Sequence, residues 1–505
     1  MTALIVHGHF YQPPRENPWT GIVERELSAA PYHDWNERIY HECYRPNAAA
    51  MIGGDVPERL VNNYSNISFN FGPTLLSWLQ SHHPETYNQI LVADRESVVR
   101  HGGHGNAIAQ AYGHAILPLC NERDRLTQIV WGLEDFRRRF NREPESLWLP
   151  ETACNDRTLS LLIDQGLRFV ILAPEQAERV RTTKEEPWRE VAGNLHTTQP
   201  YVYRHPDGSG RSLAIFFYHG PLARAIAFER ALSSSRQLVD LISHVATTGP
   251  LVNVATDGET YGHHFKFGDL CLAHALEVEG RAAGFWTTNY GEYLERYPPE
   301  MEVRIRNGPA GEGTSWSCAH GVGRWARDCG CHTGGEAGWN QQWRGPLRKA
   351  LDFLRDDAAM HFENVGSELL WDPWQARNEY IRLLMEPLER DQFLVQHSRR
   401  PLSNSEEARV LALLEIQRNS LLMFTSCGWF FSDPAGLETV QVLRYAARLI
   451  QLQSELGLTP PQTQFLEMLA EAKSNVAEKG NGADIFLRLA RPEPKLLTPA
   501  TTLAN

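Results

Sequence analysis

Short apolar runs alternate with helical patterns over roughly the first 300 residues of this 505-residue chain. A short apolar run predicts a buried strand, and apolar residues at i, i+3, i+4 and i+7 predict an amphipathic helix. The strand candidates are Leu4–His9, Ile67–Phe71, Ala107–Ala111, Leu147–Leu149, Phe169–Leu172, Leu213–Phe217 and Leu251–Ala255. Helical patterns between them include Pro73–His82, Asp124–Phe140 and Asp156–Gln165, the last with Asn155 or Asp156 as its N-cap. Such alternation predicts an α/β fold with a parallel sheet.

Polar residues follow several of the apolar runs, at the ends where parallel strands carry active sites. Seven such strands predict a closed or nearly closed (β/α) barrel, with an open doubly wound sheet as the alternative. The first run is not followed by a glycine-rich loop of the G-x-G-x-x-G or G-x-x-x-x-G-K type. This disfavours a nucleotide-binding fold.

The character of the sequence changes after the prolines at 298 and 299. We therefore predict a barrel domain over residues 1–300, followed at 301–345 by a segment rich in Trp, Cys and Gly that covers a cleft. Residues 346–476 contain successive runs with helical periodicity, which predict a helical bundle domain. Residues 477–505 are polar and weakly patterned and form a predicted tail.

Charge and composition exclude some classes of partner. The formal net charge is −12 and no block is rich in Lys or Arg, so binding to a nucleic acid is not expected. The chain starts with a strand pattern rather than a signal peptide, and no run reaches the roughly 18 apolar residues of a membrane span. With eight cysteines in so long a chain, these features predict a cytoplasmic protein with reduced thiols and no membrane partner. They leave the oligomeric state undefined.

The stretch Leu251–Phe265 carries the strongest chemical signal. A buried strand pattern ends there in two acids, Asp257 and Glu259, which a glycine separates and which His263 and His264 follow. Two carboxylates and two imidazoles at the carboxyl end of a buried strand predict an active-site edge. The alternative is a solvated loop with scattered charge.

Three histidines follow other strands. His7 and His9 are two residues apart at the end of the first strand, so both imidazoles lie on one face. His114 follows the third strand and is a candidate for substrate binding. A hydrogen-bonded core role is the alternative for His7 and His9, and their spacing also suits half of a metal site.

A lone carboxylate, Glu151, follows the fourth strand in the sequence Trp148-Leu149-Pro150-Glu151. A buried glutamate at a strand end is costly unless it is paired, hydrogen-bonded or used in catalysis. Strand ends face one another across the mouth of a barrel. Glu151 and Asp257 can therefore flank one reacting bond.

Four motifs in this order resemble those of family 57 glycoside hydrolases, a family of α-glucan-active amylases, 4-α-glucanotransferases and branching enzymes. The motifs are His7-Gly8-His9 with Gln12-Pro13, Gly113-His114 with Ile116-Leu117-Pro118, Trp148-Leu149-Pro150-Glu151, and Asp257-Gly258-Glu259 with Gly262-His263. The resemblance covers residues 1–265, and its ordered motifs are specific. Residues 314–328 and 424–431 resemble a little-characterised branch of the family.

The resemblance implies an incomplete (β/α)7 barrel followed by a helical bundle, with an α-linked glucan or oligosaccharide as substrate. It implies a retaining mechanism with Glu151 as the nucleophile and Asp257 as the acid/base, and no cofactor. It places His9 and His114 at the donor-sugar subsite. It also implies a substrate-binding Trp from the helical side. The candidate substrate-binding residues are His7, His9, Gln12, His114, Trp148, Glu259, His263, Trp316 and Trp325.

The chemistry agrees with this resemblance. Glycoside cleavage with retention needs two carboxyl groups, usually about 5 Å apart, one ionised and one protonated. Glu259 is expected either to raise the pKa of Asp257 or to bind sugar hydroxyls. His263 is expected to pair with Asp257 or Glu259.

A second cluster contains Cys318, His320, Cys329, Cys331 and His332. Three thiols and two imidazoles within fifteen residues can hold a tetrahedral zinc ion. However, the spacing is not the usual pair of C-x-x-C motifs, and the flanks are rich in Trp. We therefore predict a structural loop over the sugar cleft, with no metal ligands, rather than a zinc site or a redox disulfide.

Two other functions stay open. One is a metal-dependent carbohydrate hydrolase, similar to α-mannosidases or deacetylases, with zinc bound by His7, His9 and Asp257. The other is a catalytically silent carbohydrate-binding relative. The presence of both Glu151 and Asp257 favours the retaining enzyme, and the sequence does not separate hydrolysis from transfer.

Overall fold

The computed structural model describes residues 1–54, 56–182, 186–191, 193 and 195–491. The fold is mixed α/β with a helical C-terminal region. The strands, numbered β1 to β14, are Ala3–Phe10, Ala50–Ile52, Arg59–Val61, Ser68–Phe71, Ala109–Gln110, Leu147–Trp148, Phe169–Leu172, Ala177–Thr182, Arg189–Glu190, Tyr201–Arg204, Ser212–Phe217, Leu251–Asp257, Trp286–Thr287 and Met301–Ile305. The α-helices, numbered α1 to α19, are Trp35–Ile39, Arg45–Ala48, Pro73–His82, Pro84–Arg100, Glu122–Phe140, Asp156–Asp164, Gly220–Phe228, Ser235–Ala246, Gly268–His274, Gly280–Ala282, Tyr290–Arg296, Arg344–Leu369, Pro373–Met385, Arg390–His397, Asn404–Leu422, Cys427–Phe430, Leu437–Glu455, Gln462–Leu469 and Gly482–Ile485.

Each of the seven predicted strands forms, as β1, β4, β5, β6, β7, β11 and β12. Their apolar runs are buried because the strands neighbour one another in a parallel series. β1 pairs with β12 on one side and β4 on the other, β5 pairs with β6, and β7 pairs with β11. Single parallel bridges, Phe69 to Ala107 and Ser146 to Phe169, link these pairs. The series has an open edge between β11 and β12, which do not pair as strands among the described residues. There the His219 amide, just after β11, donates to the carbonyl of Asn253 on β12 at 2.8 Å.

The pairing register of these strands decides which candidate functional residues lie side by side. His9 pairs with Asp257 on β12 and with Asn70 on β4. Because parallel strands end at the same edge of a sheet, these three residues come to one edge. Beneath them, inward side chains such as Ile5 and Phe216 form one buried cluster.

Strands β8, β9, β10 and β14 were not predicted from the apolar pattern. They join β7 and β11 in a six-stranded sheet of order β7-β11-β10-β14-β8-β9. β8 is half-buried along most of its length, and β10 alternates buried and more exposed residues. Neither strand has a continuous apolar run, so neither gave the signal of a buried strand.

The predicted helices between the strands are present, as α3, α5 and α6. Asn155 is the N-cap of α6, and its side-chain oxygen accepts from the Thr158 amide at 3.0 Å. The region 346–476, where successive helical runs were predicted, is also helical, from α12 to α18. The predicted tail contains the short helix α19, where Ile485 is buried, and its residues 492–505 lie outside the described part of the chain.

The chain divides into two compact units. The first comprises the described residues of 1–12, 25–112 and 135–317, and the second those of 13–24, 113–134 and 318 onward. Among the helices that the structure describes, none combines the length and the apolar character that a membrane span needs.

Candidate active site

Glu151 lies just beyond β6, in a backbone conformation that presents its carboxylate to two donors. Its φ of 59° lies in the left-handed region, which is uncommon for a residue other than glycine. Trp316 Nε1 donates to Glu151 Oε2 at 3.0 Å, and Ser317 Oγ donates to the same oxygen at 2.6 Å. The Trp316 amide also donates to the Glu151 carbonyl at 3.1 Å. Two donors on one oxygen stabilise the ionised carboxylate.

Asp257 ends β12 and is still exposed to solvent, as a group that meets a substrate must be. Protein nevertheless surrounds the carboxyl group densely enough that desolvation raises its pKa to about 7, with the charge of Glu151 as the second cause. Both effects favour the neutral acid, because burial and a nearby negative charge each disfavour a second carboxylate.

The two carboxyl groups therefore occupy different environments. Glu151 has hydrogen-bond donors for its charge, whereas Asp257 is desolvated and experiences the charge of Glu151. This arrangement favours an ionised Glu151 and a protonated Asp257 near neutral pH.

Glu259 is buried, unlike Asp257. Its Oε1 accepts from the Tyr44 hydroxyl at 2.7 Å and from the Tyr11 amide at 3.0 Å. Desolvation raises the pKa of Glu259 to about 8, and the charge of Asp257 acts in the same direction. Of the two acids near Asp257, Glu151 is the one that raises its pKa, not Glu259 as the sequence suggested.

His7 and His9 lie one above the other against Trp148. Their rings stack on the indole with centroid distances of 4.8 and 4.9 Å. His7 Nδ1 is 3.0 Å from Ser68 Oγ, and its Nε2 is 3.1 Å from Asn70 Oδ1. Burial lowers the pKa of His7 to about 3, so this imidazole is neutral.

Asn70 connects the two histidines. Its side-chain amide nitrogen is 2.9 Å from His9 Nδ1 and donates to Gln110 Oε1 at 2.8 Å. The Asn70 side-chain oxygen also lies 3.3 Å from His9 Nδ1, so Asn70 can meet this nitrogen in either tautomer. The network holds the His9 ring at the strand edge where Asp257 lies.

Trp316 is half-buried and borders this cluster. Its ring meets Trp148 edge to face at 5.2 Å and Tyr218 at 6.1 Å between centroids. Aromatic rings beside carboxyl groups provide faces on which sugar rings can stack. Its second contact, the hydrogen bond to Glu151, makes Trp316 both a wall of the site and a support for the nucleophile candidate.

Comparison with known families identifies the chain. Residues 10–306 match glycosyl hydrolase family 57, which is more than half of the sequence. The chain belongs to glycosyl hydrolase family 57. Residues 339–499 match a second family, described as a domain of unknown function, DUF3536.

Two curated relatives agree with family 57. A 4-alpha-glucanotransferase of Thermococcus litoralis is 22% identical over 286 residues, which are 56% of this chain and 39% of the relative. Alpha-amylase 1 of Dictyoglomus thermophilum is 23% identical over 142 residues, 27% of this chain and 18% of the relative. The chain thus spans about two fifths of the length of the first relative and less than one fifth of the second.

Solved structures show the same fold. An exo-type maltose-forming amylase from Pyrococcus sp. ST04 matches with a TM-score of 0.66 at 15% identity, covering 92% of this chain and 82% of the other. A family 57 branching enzyme from Pyrococcus horikoshii matches with a TM-score of 0.55 at 13% identity, covering 99% of both chains.

Two other residues of the family 57 motifs, Gln12 and His263, have contacts of their own. Gln12 is half-buried, and its Nε2 donates to the Tyr11 carbonyl at 3.1 Å. His263 pairs through Nδ1 with Glu42 Oε2, so the structure gives its ring a partner other than the expected Asp257 or Glu259.

His114 and Trp325 belong to the second unit. His114 is buried, its Nδ1 lies 2.6 Å from Ser426 Oγ, and burial lowers its pKa to about 3. Trp325 is also fully buried, and its Nε1 donates to the Ser426 carbonyl at 3.2 Å. A fully buried indole offers no face for a sugar, which favours Trp316 over Trp325 as the tryptophan at the substrate. The donor-subsite role of His114 stays a prediction.

Several contacts of the site come from residues that the sequence analysis did not single out. Ser68 and Asn70 bind the histidines, Tyr44 binds Glu259, and Ser317 binds Glu151. Ser68 and Asn70 have a usable signal, because both lie on a predicted strand, two residues apart and on the same face. Ser317 has no such signal, because it lies 166 positions from its partner.

Proposed function

We propose that this protein is a retaining glycoside hydrolase or transglycosylase that acts on α-linked glucan or oligosaccharide. The observation that carries the proposal is the unequal pair of acids. Desolvation, followed by the charge of Glu151, raises the pKa of Asp257 to about 7, while two hydrogen bonds support the charge of Glu151. The names of the family 57 relatives support the choice of α-glucan.

In the first step, the ionised Glu151 carboxylate attacks the anomeric carbon while Asp257 donates its proton to the glycosidic oxygen. The bond between the anomeric carbon and that oxygen breaks, and a glycosyl ester forms on Glu151. The two donors on Glu151 Oε2, Trp316 Nε1 and Ser317 Oγ, orient the carboxylate for attack through its other oxygen.

In the second step, Asp257 acts as a base. The ester of Glu151 is neutral, so the charge that helped to raise the pKa of Asp257 is gone. Asp257 becomes a stronger acid and is ionised at the moment when a base is needed. Asp257 takes the proton of water or of an acceptor hydroxyl. The oxygen of that group attacks the anomeric carbon from the face that the leaving group left, and the bond to Glu151 breaks. Two displacements therefore retain the configuration.

The surrounding residues are proposed to hold the sugar. Trp316, bordering Trp148, provides the aromatic wall, and the imidazole of His9, held by Asn70, forms a hydrogen bond with a sugar hydroxyl. His7, stacked beneath on Trp148, supports His9, and Glu259 positions the turn through Tyr11. The further candidates at the substrate are Gln12 and His263.

We also propose the finer architecture that the sequence predicted. The parallel series of seven strands, with a hydrogen bond from His219 to Asn253 at its open edge, supports an incomplete (β/α)7 barrel over residues 1–300. The domains beyond it are proposed as a cleft-covering segment at 301–345 and a helical bundle at 346–476.

The zinc-dependent alternative is less well supported, because both ring nitrogens of His7 already have partners in Ser68 and Asn70. A zinc ligand needs one of these nitrogens free. His7, His9 and Asp257 also do not form a metal-ligand group in the part of the chain that the structure describes.

Proton NMR of the first product from an α-linked substrate tests the proposal. The α-anomer should form first, because two displacements restore the configuration. A β-anomer formed first would exclude Glu151 as nucleophile.

Glu151→Gln and Asp257→Asn should each lower turnover by several orders of magnitude with the circular dichroism spectrum unchanged. Glu143→Gln, at an exposed glutamate, is the control and should keep full activity.

A further inference from the structure

The Cys/His segment, residues 318–332 of the second unit, brings four ligand atoms together. One atom each from Cys318, His320, Cys329 and Cys331 lies within 4.8 Å of all the others. Cys318 Sγ and Cys329 Sγ are 3.8 Å apart, and Cys331 Sγ is 3.5 Å from His320 Nδ1. All of these cysteines are free thiols.

These separations are those of ligands around a tetrahedral zinc ion. With Zn–S bonds of about 2.3 Å and Zn–N bonds of about 2.0–2.1 Å, a tetrahedron separates two sulfurs by about 3.8 Å. The same geometry separates a sulfur from a nitrogen by about 3.5 Å. A disulfide would need sulfurs about 2.05 Å apart.

We propose that Cys318, His320, Cys329 and Cys331 bind one structural Zn²⁺ ion. Spacing alone predicted a structural loop without metal, because C-x-H and C-x-C are unlike the usual C-x-x-C pairs. The separations across the loop, which the sequence does not give, support a Cys₃His set instead.

The backbone of the loop suits such a site. Gly330, between two of the cysteines, has a φ of 79°, and this left-handed conformation lets Cys329 and Cys331 turn toward one centre.

Charge balance also fits. Three thiols release their protons on binding, so Zn²⁺ with three thiolates and a neutral imidazole has a net charge of −1. The guanidinium of Arg344, whose side chain is fully buried, donates to the Cys331 carbonyl at 2.6 Å and provides a nearby positive charge. With four protein ligands the site has no open position, which is typical of a structural rather than a catalytic zinc.

Elemental analysis of the full-length protein, purified under reducing conditions without chelator, tests the proposal. We expect about one zinc per chain.

The His320→Ala variant should release its zinc to a chelator at least tenfold faster than the wild-type protein, because one of four ligands is lost. The matched control is His332→Ala, a neighbouring exposed histidine outside the ligand group, which should keep wild-type zinc. Both substitutions are at exposed positions, and circular dichroism of each variant checks that the fold is kept.

Cobalt substitution gives a second readout. Co²⁺ bound at the site should show the intense visible bands of tetrahedral coordination and a thiolate charge-transfer band, and Cys329→Ser should weaken the latter. Equal zinc release from the two histidine variants would overturn the ligand set. No zinc uptake by the reduced protein, or two fewer free thiols than the eight cysteines of the sequence, would overturn the site itself.

Discussion

The protonation states of Glu151 and Asp257 follow from their immediate neighbours rather than from the residue types. Glu151 receives two donors, from Trp316 and Ser317, whereas desolvation and the charge of Glu151 act on Asp257. An aspartate is normally the stronger acid of such a pair. The surroundings therefore favour the protonated form of Asp257, which its intrinsic acidity would not.

The raised pKa of Asp257 predicts an alkaline limit to activity. The acid form is present below the pKa of about 7 and is lost as the pH rises through it, so kcat/KM should fall tenfold per pH unit above that value. Steady-state kinetics on a maltooligosaccharide across this range is the measurement. A rate that stays constant through about pH 9 would contradict the role of Asp257.

A comparison of leaving groups separates this role from a general loss of structure. Asp257→Ala should lose about 10²–10⁴-fold in the cleavage of a natural glucan. It should lose far less in forming the glycosyl enzyme from an activated aryl α-glycoside, whose leaving group needs no proton. Equal losses on both substrates would argue against Asp257 as the acid.

The acids of the site could be predicted from sequence, but most of their partners could not. Glu151 and Asp257 stand out because carboxylates are rare at the ends of buried strands. Ser317 and Tyr44 are single polar residues whose importance depends on contacts across 166 and 215 positions. No local pattern records such a contact.

At the scale of the elements, glycine allows β1 and the turn after β12 to approach closely. A Cβ at Gly258 would lie 2.3 Å from the Phe10 ring, and one at Gly8 would lie 2.7 Å from it. Phe10 is fully buried, so its ring has little room to move. The glycine after Asp257 thus lets this aromatic ring pack against the turn that carries both acids.

Gly258→Ala should therefore disturb the site as well as the packing. Overpacking of this kind costs about 1–3 kcal/mol in the free energy of unfolding, and displacement of the adjacent Asp257 should lower kcat. Denaturant unfolding and kinetics measure the two effects. Gly345→Ala is the control, because its Cβ would meet only the Ala326 carbonyl at 3.7 Å and should leave both values near wild type. An unchanged kcat in Gly258→Ala would show that Asp257 does not depend on this packing.

The strands that the sequence predicted are those with a continuous buried run. All residues of β1 and β7 are buried, and both strands were predicted. β9 has two exposed residues, and β8 is mostly half-buried, so the sheet that they extend has no apolar signature. The sequence identifies elements of the core and misses those that depend on an already folded sheet for their partners.

At the scale of the whole molecule, the candidate site makes folding depend on pH. Glu259 is buried with its pKa raised to about 8, whereas an unfolded chain gives glutamate a pKa of about 4.3. Between these values the native state holds a proton that the unfolded state has released. Stability therefore falls as the pH rises through this window, and the full contribution is present only below the unfolded value.

Glu259→Gln should flatten this dependence. The amide oxygen can still accept from Tyr44 and Tyr11, but it no longer loses a proton. The difference in the free energy of unfolding between variant and wild type should change by up to about 1.4 kcal/mol per pH unit between about pH 5 and 8. Denaturant unfolding at several pH values measures it, with the exposed Glu143→Gln as the control that should stay parallel to wild type. A profile for Glu259→Gln that is also parallel to wild type would contradict the raised pKa.

The backbone at Glu151 and Thr152 has a consequence for how this protein can be evolved. Both residues have left-handed φ angles, 59° and 49°, which cost a residue with a side chain about 1 kcal/mol or more relative to glycine. Selection for heat resistance alone would enrich glycine at position 151 and so remove the proposed nucleophile. Selection for turnover would keep the strained glutamate. A library of variants sorted first by thermal survival would thus discard its active members before they were assayed.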